Sequence, residues 1–234
     1  MSVQYDQIGA NYNHIKKRSR DMAQTATILE YLGNLEGQEV LDLGCGTGYF
    51  SQKAVDQGAR RVVGLDISPV MVQVAQREHE GDSRFEFCVT DCSKPLEVGK
   101  FDLVLAMWFL NYAPTAEDQL KMWQNIMCNL KPGGRCIGIV PNFDWLDSLS
   151  AAADDDDGER STDDMQFLEH VPDGVKYRFF SDQDQTVSFD AYLLRRQVYN
   201  SCAHEAGFID LQWLSLCGEG LDSTRQIFQA WRPK

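Results

Sequence analysis

The chain lacks any apolar run of membrane-spanning length. Its longest, near Leu103–Leu110, falls far short of the roughly 20 residues a helix needs to cross a bilayer. No secretory leader is expected either, because the opening MSVQYDQIGANYN has no basic start followed by an apolar core. Positive charge is in short supply: 22 Lys and Arg face 35 Asp and Glu, for a net charge of −13. Such a balance repels nucleic-acid phosphates and anionic lipid, so no nucleic acid and no membrane is expected as a partner unless a local basic patch overrides the average. Paired-cysteine motifs are missing. The seven cysteines, at 45, 88, 92, 128, 136, 202 and 217, make an odd count, and none has Cys-x-x-Cys spacing. They are read as free thiols, most of them buried as small apolar groups, which points to a reducing, cytoplasmic location.

What the chain does have is apolar content. At 234 residues and 43% hydrophobic, it fills the core of one generous domain. An amphipathic helix over 21–32 ends at Gly33. After it, β-rich runs alternate with helical stretches. Strands are predicted at Val40–Leu43, Arg61–Asp66, Phe85–Val89, Phe101–Met107 and Arg135–Val140. Helices are predicted at Tyr49–Gln57, from Ser68 as N-cap and Pro69 as first residue to about His79, and from Pro114 to Leu130. This βαβα order implies a mostly parallel sheet with helices on both faces. Residues 142–190 break the rhythm. Lys176–Phe180 and Gln185–Phe189 read as a hairpin around SDQD, set in an insertion over the sheet and not in a separate domain. A helix at Ala191–Ala206 and two strands, about Phe208–Leu216 and Gln226–Trp231, close the chain.

Chemistry concentrates at residues 40–50, VLDLGCGTGYF, a buried strand leading through Gly44, Gly46 and Gly48 into a helix. The glycines let a ligand approach the backbone closely. A phosphate-binding P-loop would need Gly-Lys-Ser/Thr, which is absent. A dinucleotide fingerprint would need glycine where Tyr49 stands. Asp42, two residues before the first glycine, disfavours a pyrophosphate and attracts a cation. Asp66 follows Gly44 by about 20 residues, the spacing of an acid that binds ribose hydroxyls. Asp91 and Cys92 follow the third strand, where an acid accepts from an adenine amino group and a backbone N–H meets a ring nitrogen. S-adenosylmethionine (SAM), which carries an ammonium and a sulfonium but no phosphate, fits these groups.

At these residues the chain resembles the class I, Rossmann-like, SAM-dependent methyltransferases. VLDLGCGTG resembles their first motif, LDIS their second-strand acid, TDC their adenine contact and LKPGG the turn before strand five. FDLVLAMWFLNYAP, with YDQIGANYN, is most similar to the small-molecule branch of ubiquinone-type and toxoflavin-synthase-like enzymes. The resemblance implies a seven-stranded mostly parallel sheet, SAM as cofactor and a small-molecule substrate. It also implies roles. Gly44, Cys45 and Gly46 pass the methionine part, Asp66 binds ribose, and Ile67 and Met71 flank adenine. Asp91 and Cys92 read the adenine edge, while Ala106 and Met107 lie beneath the cofactor. Tyr12 and Lys16, in a segment 1–33 that covers the cofactor, close over it and approach its carboxylate.

Trp108, Asn111, Tyr112, Trp145 and His170 are candidate substrate contacts, with the 142–190 insertion as a lid. Trp108 and Tyr112 read equally well as core. Of the four histidines, His79 and His204 sit late in predicted helices, where a terminal charge role is natural, whereas His14 and His170 lie nearer the expected pocket. The basic run 16–20 is read as a solvated helix face, and Asp154–Asp157 as a solvated loop, because consecutive aspartates are poorly arranged metal ligands. No metal is expected. The expected reaction is methyl transfer to N or O of a small metabolite. A protein or RNA methyltransferase, or a non-methylating SAM-binding cyclase, stands as the alternative.

Overall fold

The computed structural model describes residues 19–144, 146, 161–162, 165–180, 188–214 and 225–234. Helix α1 (Ser19–Leu32) ends at Gly33, whose φ of 63° is the left-handed conformation that stops a helix. Arg135 seals that end by donating to the carbonyls of Tyr31 and Leu32 at 3.0 and 2.6 Å. Then come β1 (Glu39–Leu43), α2 (Tyr49–Asp56), β2 (Arg61–Asp66), α3 (Pro69–Glu78), β3 (Phe85–Val89), β4 (Phe101–Met107), α4 (Ala116–Asn129) and β5 (Leu130–Pro141). Ser68 caps α3 by accepting from the Met71 N–H at 3.2 Å, and Pro69 takes the first helical position. The chain closes with α5 (Arg196–Glu205), β10 (Ile209–Leu214) and β11 (Arg225–Trp231).

The main sheet has seven strands in the order β10-β11-β5-β4-β1-β2-β3, all parallel except β11, which runs against both neighbours. Central strands are buried on both faces. Val40, Val62, Leu103, Leu105 and Ile137 pack under α1 and α2 through Ile28, Leu32, Phe50 and Ala54. Leu41, Val63, Val104 and Cys136 pack on the opposite side with Trp123 and Ile126 of α4 and Tyr199 of α5. Chain order reverses between β1 and β4. Open α/β sheets bind ligands at this switch point, beyond the carboxyl ends of the strands.

Residues 161–194 form a second, antiparallel sheet: β6 (Ser161–Thr162), β7 (Met165–Val171), β8 (Gly174–Phe180) and β9 (Ser188–Leu194). Of the expected hairpin, Lys176–Phe180 lies in β8, while the second strand, β9, shares only Ser188 and Phe189 with the expected 185–189 and runs on to Leu194; SDQD and 185–187 lie outside the described residues. Two expectations are corrected. Ala191–Leu194 is strand and not helix, because Ala191 and Leu193 face the core opposite Tyr177 and Val175, and α5 begins only at Arg196. The helix expected from Pro114 starts at Ala116, where Thr115 accepts from the Asp118 N–H as N-cap. No helix among the described residues is long and apolar enough to cross a membrane.

Candidate functional site

The chain turns sharply after β1. Gly44, Gly46 and Gly48 have φ of 71°, 55° and 82°, so side chains there would be strained. The N–H groups of Gly44 and Cys45 both reach the Leu65 carbonyl, at 2.8 and 3.0 Å, drawing the turn beside the end of β2. Asp66 completes the junction. One of its oxygens accepts from the Gly46 N–H at 2.8 Å and the other from the Ser68 N–H at 2.9 Å. Its carbonyl accepts from the Thr90 N–H. A single residue thus ties together the ends of β1, β2 and β3.

The loop after β3 is held by α4. The Asn125 side chain donates to the carbonyls of Cys92 and Lys94 and accepts from the Leu96 N–H. Asn129 donates to Leu96 and accepts from Val98. Asp91 accepts from the N–H and hydroxyl of Ser93, at 3.0 and 2.6 Å. Burial, with Asp66 nearby, pushes the Cys92 thiol up to about 12, so it is no nucleophile near neutral pH. Burial likewise raises Cys45, helped by Asp42 and Asp66.

These loops form one half of a cavity of about 410 Å³. Gly44, Gly46, Asp66, Ile67, Met71, Asp91 and Cys92 line it, joined by Thr90 and Ser93. The other half is Met107, Trp108, Phe109, Tyr112, Pro114 and Met122, with Lys176, Asp190 and Tyr192 from the second sheet. Trp108 has a φ of 63°, left-handed and strained for a tryptophan, and its ring lies 5.3 Å from the Arg225 guanidinium. Lys176 stands opposite Tyr192, and Arg178 opposite Asp190. Arg178 clamps Asp190 with two bonds, at 2.6 and 3.1 Å. The alternate residues Val175, Tyr177, Ala191 and Leu193 belong to the core. The second sheet therefore lies with its apolar face on the core, while three residues of its polar face line the cavity.

Several expected residues lie elsewhere. Asp42 does not line the cavity. It is buried below the turn, where it accepts from the Ser51 hydroxyl at 2.7 Å, so the carboxylates lining the glycine-turn half of the cavity are Asp66 and Asp91. The Cys45 side chain packs with Val72, Ala75 and Phe87, away from the cavity. Ala106 is fully buried in the core. Asn111 is buried beside Tyr177, off the cavity lining. His170 pairs across the second sheet with Val175 and packs on Phe167. His79 caps α3, where its Nδ1 lies 2.8 Å from the Ala75 carbonyl. Trp108 is both cavity wall and core neighbour, and Tyr112 likewise. Tyr12, His14, Lys16, Trp145 and Asp154–Asp157 lie outside the described residues. Sequence reading missed Lys176, Asp190 and Tyr192. Their signal was the period-two alternation of 174–180 and 188–194, once both are read as strands.

The chemistry of the lining fits SAM. The half built from the glycine turn carries two carboxylates and no Lys or Arg among its described residues, which suits a cationic nucleoside and opposes a phosphorylated one. Residues 40–134 match the family described as "Methyltransferase domain". A demethylmenaquinone methyltransferase of Lactococcus lactis is 32% identical over 153 residues, covering 62% of this chain and 57% of that protein. The 18S rRNA (guanine-N(7))-methyltransferase bud23 of Schizosaccharomyces pombe is 33% identical over 42% of this chain and 39% of its own length. The chain thus spans little more than half, or less, of these relatives. An SAM-dependent methyltransferase structure from Clostridium acetobutylicum superposes with a TM-score of 0.69 over 96% of this chain and 98% of that one, at 16% identity. The glycine turn, the Asp66 junction and the strand order are those of a Rossmann-like sheet, and residues 40–134 of that sheet are similar to the methyltransferase domain family, whose solved SAM-dependent members share the fold.

Proposed function

We propose that the protein transfers the SAM methyl group to N or O of a small, partly aromatic molecule held between the Trp108–Tyr112 segment and the second sheet. The observation that carries this reading is the cavity itself. Its polar, acidic half meets an aromatic half, and the second sheet walls it to a size typical of small-molecule sites. When bound, SAM supplies a methyl group on a sulfonium already activated as a leaving group.

The protein's share of the work is alignment. Asp66 holds the ribose hydroxyls, Ile67 and Met71 flank the adenine, Asp91 and the Cys92 N–H read its edge, and Gly44 and Gly46 admit the methionine part. Met107 and Trp108 support the reacting end. Holding two reactants in line supplies several kcal/mol of the barrier reduction. The described part of the 142–190 insertion walls the acceptor side through Lys176, Asp190 and Tyr192, which would help exclude water and protect the donor. A neutral amine acceptor needs no base at all, whereas a hydroxyl acceptor needs one or must arrive ionised.

The rRNA-modifying relative keeps RNA as the second reading, against which the net charge of −13 and the walled cavity weigh. Incubating the purified protein with methyl-labelled SAM and a cell extract separates the two. Label in the small-molecule fraction, with S-adenosylhomocysteine formed, is expected. Label in RNA or protein, or no S-adenosylhomocysteine, would overturn the proposal.

A further inference from the structure

The acceptor half of the cavity contains one side chain that its aromatic character does not explain. Lys176 is the only Lys or Arg among the described residues lining the cavity, where Asp66, Asp91 and Asp190 are the acids. Asp66 and Asp91 stand on the cofactor side. Asp190 is neutralised by Arg178, which grips both of its oxygens at 2.6 and 3.1 Å. Lys176 is less engaged. Its ammonium lies 3.4 Å from Glu169 and 3.7 Å from Asp190, longer than a good charge-assisted hydrogen bond. Glu169 is itself 62% exposed, so water screens that pair. A cation in this setting retains attraction for a third anionic group arriving from the cavity side.

The remaining wall selects the rest of the ligand. Trp108, Phe109, Tyr112 and Tyr192 offer flat aromatic surface around this single positive charge. The bound sulfonium adds a second positive charge to the cavity, so a cationic acceptor is opposed there and an anionic one attracted.

We infer that the acceptor is an aromatic or heteroaromatic acid, and that Lys176 pairs with its acidic oxygen and thereby sets substrate choice. The inference rests on the proposed small-molecule reading and sharpens it. Lys176 would hold and orient the acid group against the aromatic wall. Asp190, fixed by Arg178, would position the lysine.

The test uses the full chain saturated with S-adenosylhomocysteine and titrates benzoate, salicylate and 1-naphthoate beside their carboxamides, with binding followed calorimetrically or by ligand-observed NMR. The acids are expected to bind about tenfold tighter than the amides, the scale of one charge-assisted contact in a partly exposed site. Lys176→Met should erase that preference while leaving S-adenosylhomocysteine affinity and thermal midpoint unchanged. Lys176→Arg should retain it, which separates charge from packing. Equal binding of acids and amides, a preference that survives Lys176→Met, or no binding of any acid at millimolar concentration would overturn the inference. Wild-type protein that binds no S-adenosylhomocysteine would instead remove the methyltransferase reading on which it depends.

Discussion

Both oxygens of Asp66 already hold backbone N–H groups, one from the glycine turn and one from the start of α3, before any ligand is considered. The residue therefore shapes the site and, on the proposed reading, also binds the ligand in it. Asp66→Asn is isosteric but loses the charge, and its NH2 can no longer accept from one of the two backbone N–H groups. Asp66→Ala loses both and frees the turn. Hydrogen bonds to a charged group contribute about 1.5–3 kcal/mol, so Asp66→Ala should weaken S-adenosylhomocysteine binding by roughly 10- to 150-fold, with Asn intermediate, as read by calorimetry. Gly64, in the middle of β2, is constrained differently. A Cβ there would sit 2.5 Å from the Phe87 ring and 3.0 Å from the Cys45 sulfur. Gly64→Ala should cost about 1–3 kcal/mol by overpacking, read as a lower denaturant midpoint at unchanged slope. Phe87→Leu in the same chain should recover part of that loss, because it removes the clashing Cε1 and leaves the Cδ atoms on a branch that can rotate away.

At the level of elements, α4 acts on the site without entering it through more than Met122. Asn125 and Asn129 satisfy five backbone groups of the 92–98 loop, whose first residue lines the cavity. Asn125→Ala would leave three of them without that partner. It should cost about 1–3 kcal/mol and speed amide exchange at 92–98 more than in α4 itself. The Rossmann-like elements could be read ahead of the structure because each follows from local rules. Arg61–Asp66, Phe85–Val89 and Phe101–Met107 are compact apolar runs bounded by turn residues, and Ser68-Pro69 announces a helix start. The second sheet could not be read in full. Met165–Val171 has no clean alternation, and Ala191–Leu194 is apolar enough to suit either a helix or a strand. Pairing with β8 decides the matter, and that contact is not local. Asp42 shows the same limit within the site. Its spacing matched a ligand contact, but only tertiary structure shows it buried below the turn, off the cavity lining, with one oxygen accepting from Ser51.

Across the whole molecule, the edge of the sheet opposite the cavity is pinned by charge. Asp102 accepts from the Glu39 N–H and from Lys131, both at 2.9 Å. Lys131 also reaches Glu39, which pairs with Arg60 at 3.1 Å. Burial alone would raise the Asp102 carboxyl. The Glu39 N–H and Lys131 outweigh it and hold the group below the ordinary range. A carboxyl depressed in the folded state stabilises the fold above its unfolded value, about 3.9, and that contribution is lost as pH falls through the folded value. Wild-type stability should therefore fall below about pH 4 more steeply than that of Asp102→Asn, which should start lower at neutral pH. Thermal melts across pH 3 to 7 would show the two curves converging on the acid side.

The second sheet leaves the main domain after β5 and rejoins it at α5, without interrupting any strand that carries the glycine turn, Asp66 or Asp91. The cavity residues of the second sheet, Lys176, Asp190 and Tyr192, thus come from a stretch of chain separate from the glycine turn, Asp66 and Asp91, and meet them only in space. On the proposed reading, drift or deliberate exchange at these three positions would alter acceptor choice while leaving the Asp66 junction intact. The architecture is that of a fixed handle with a replaceable jaw.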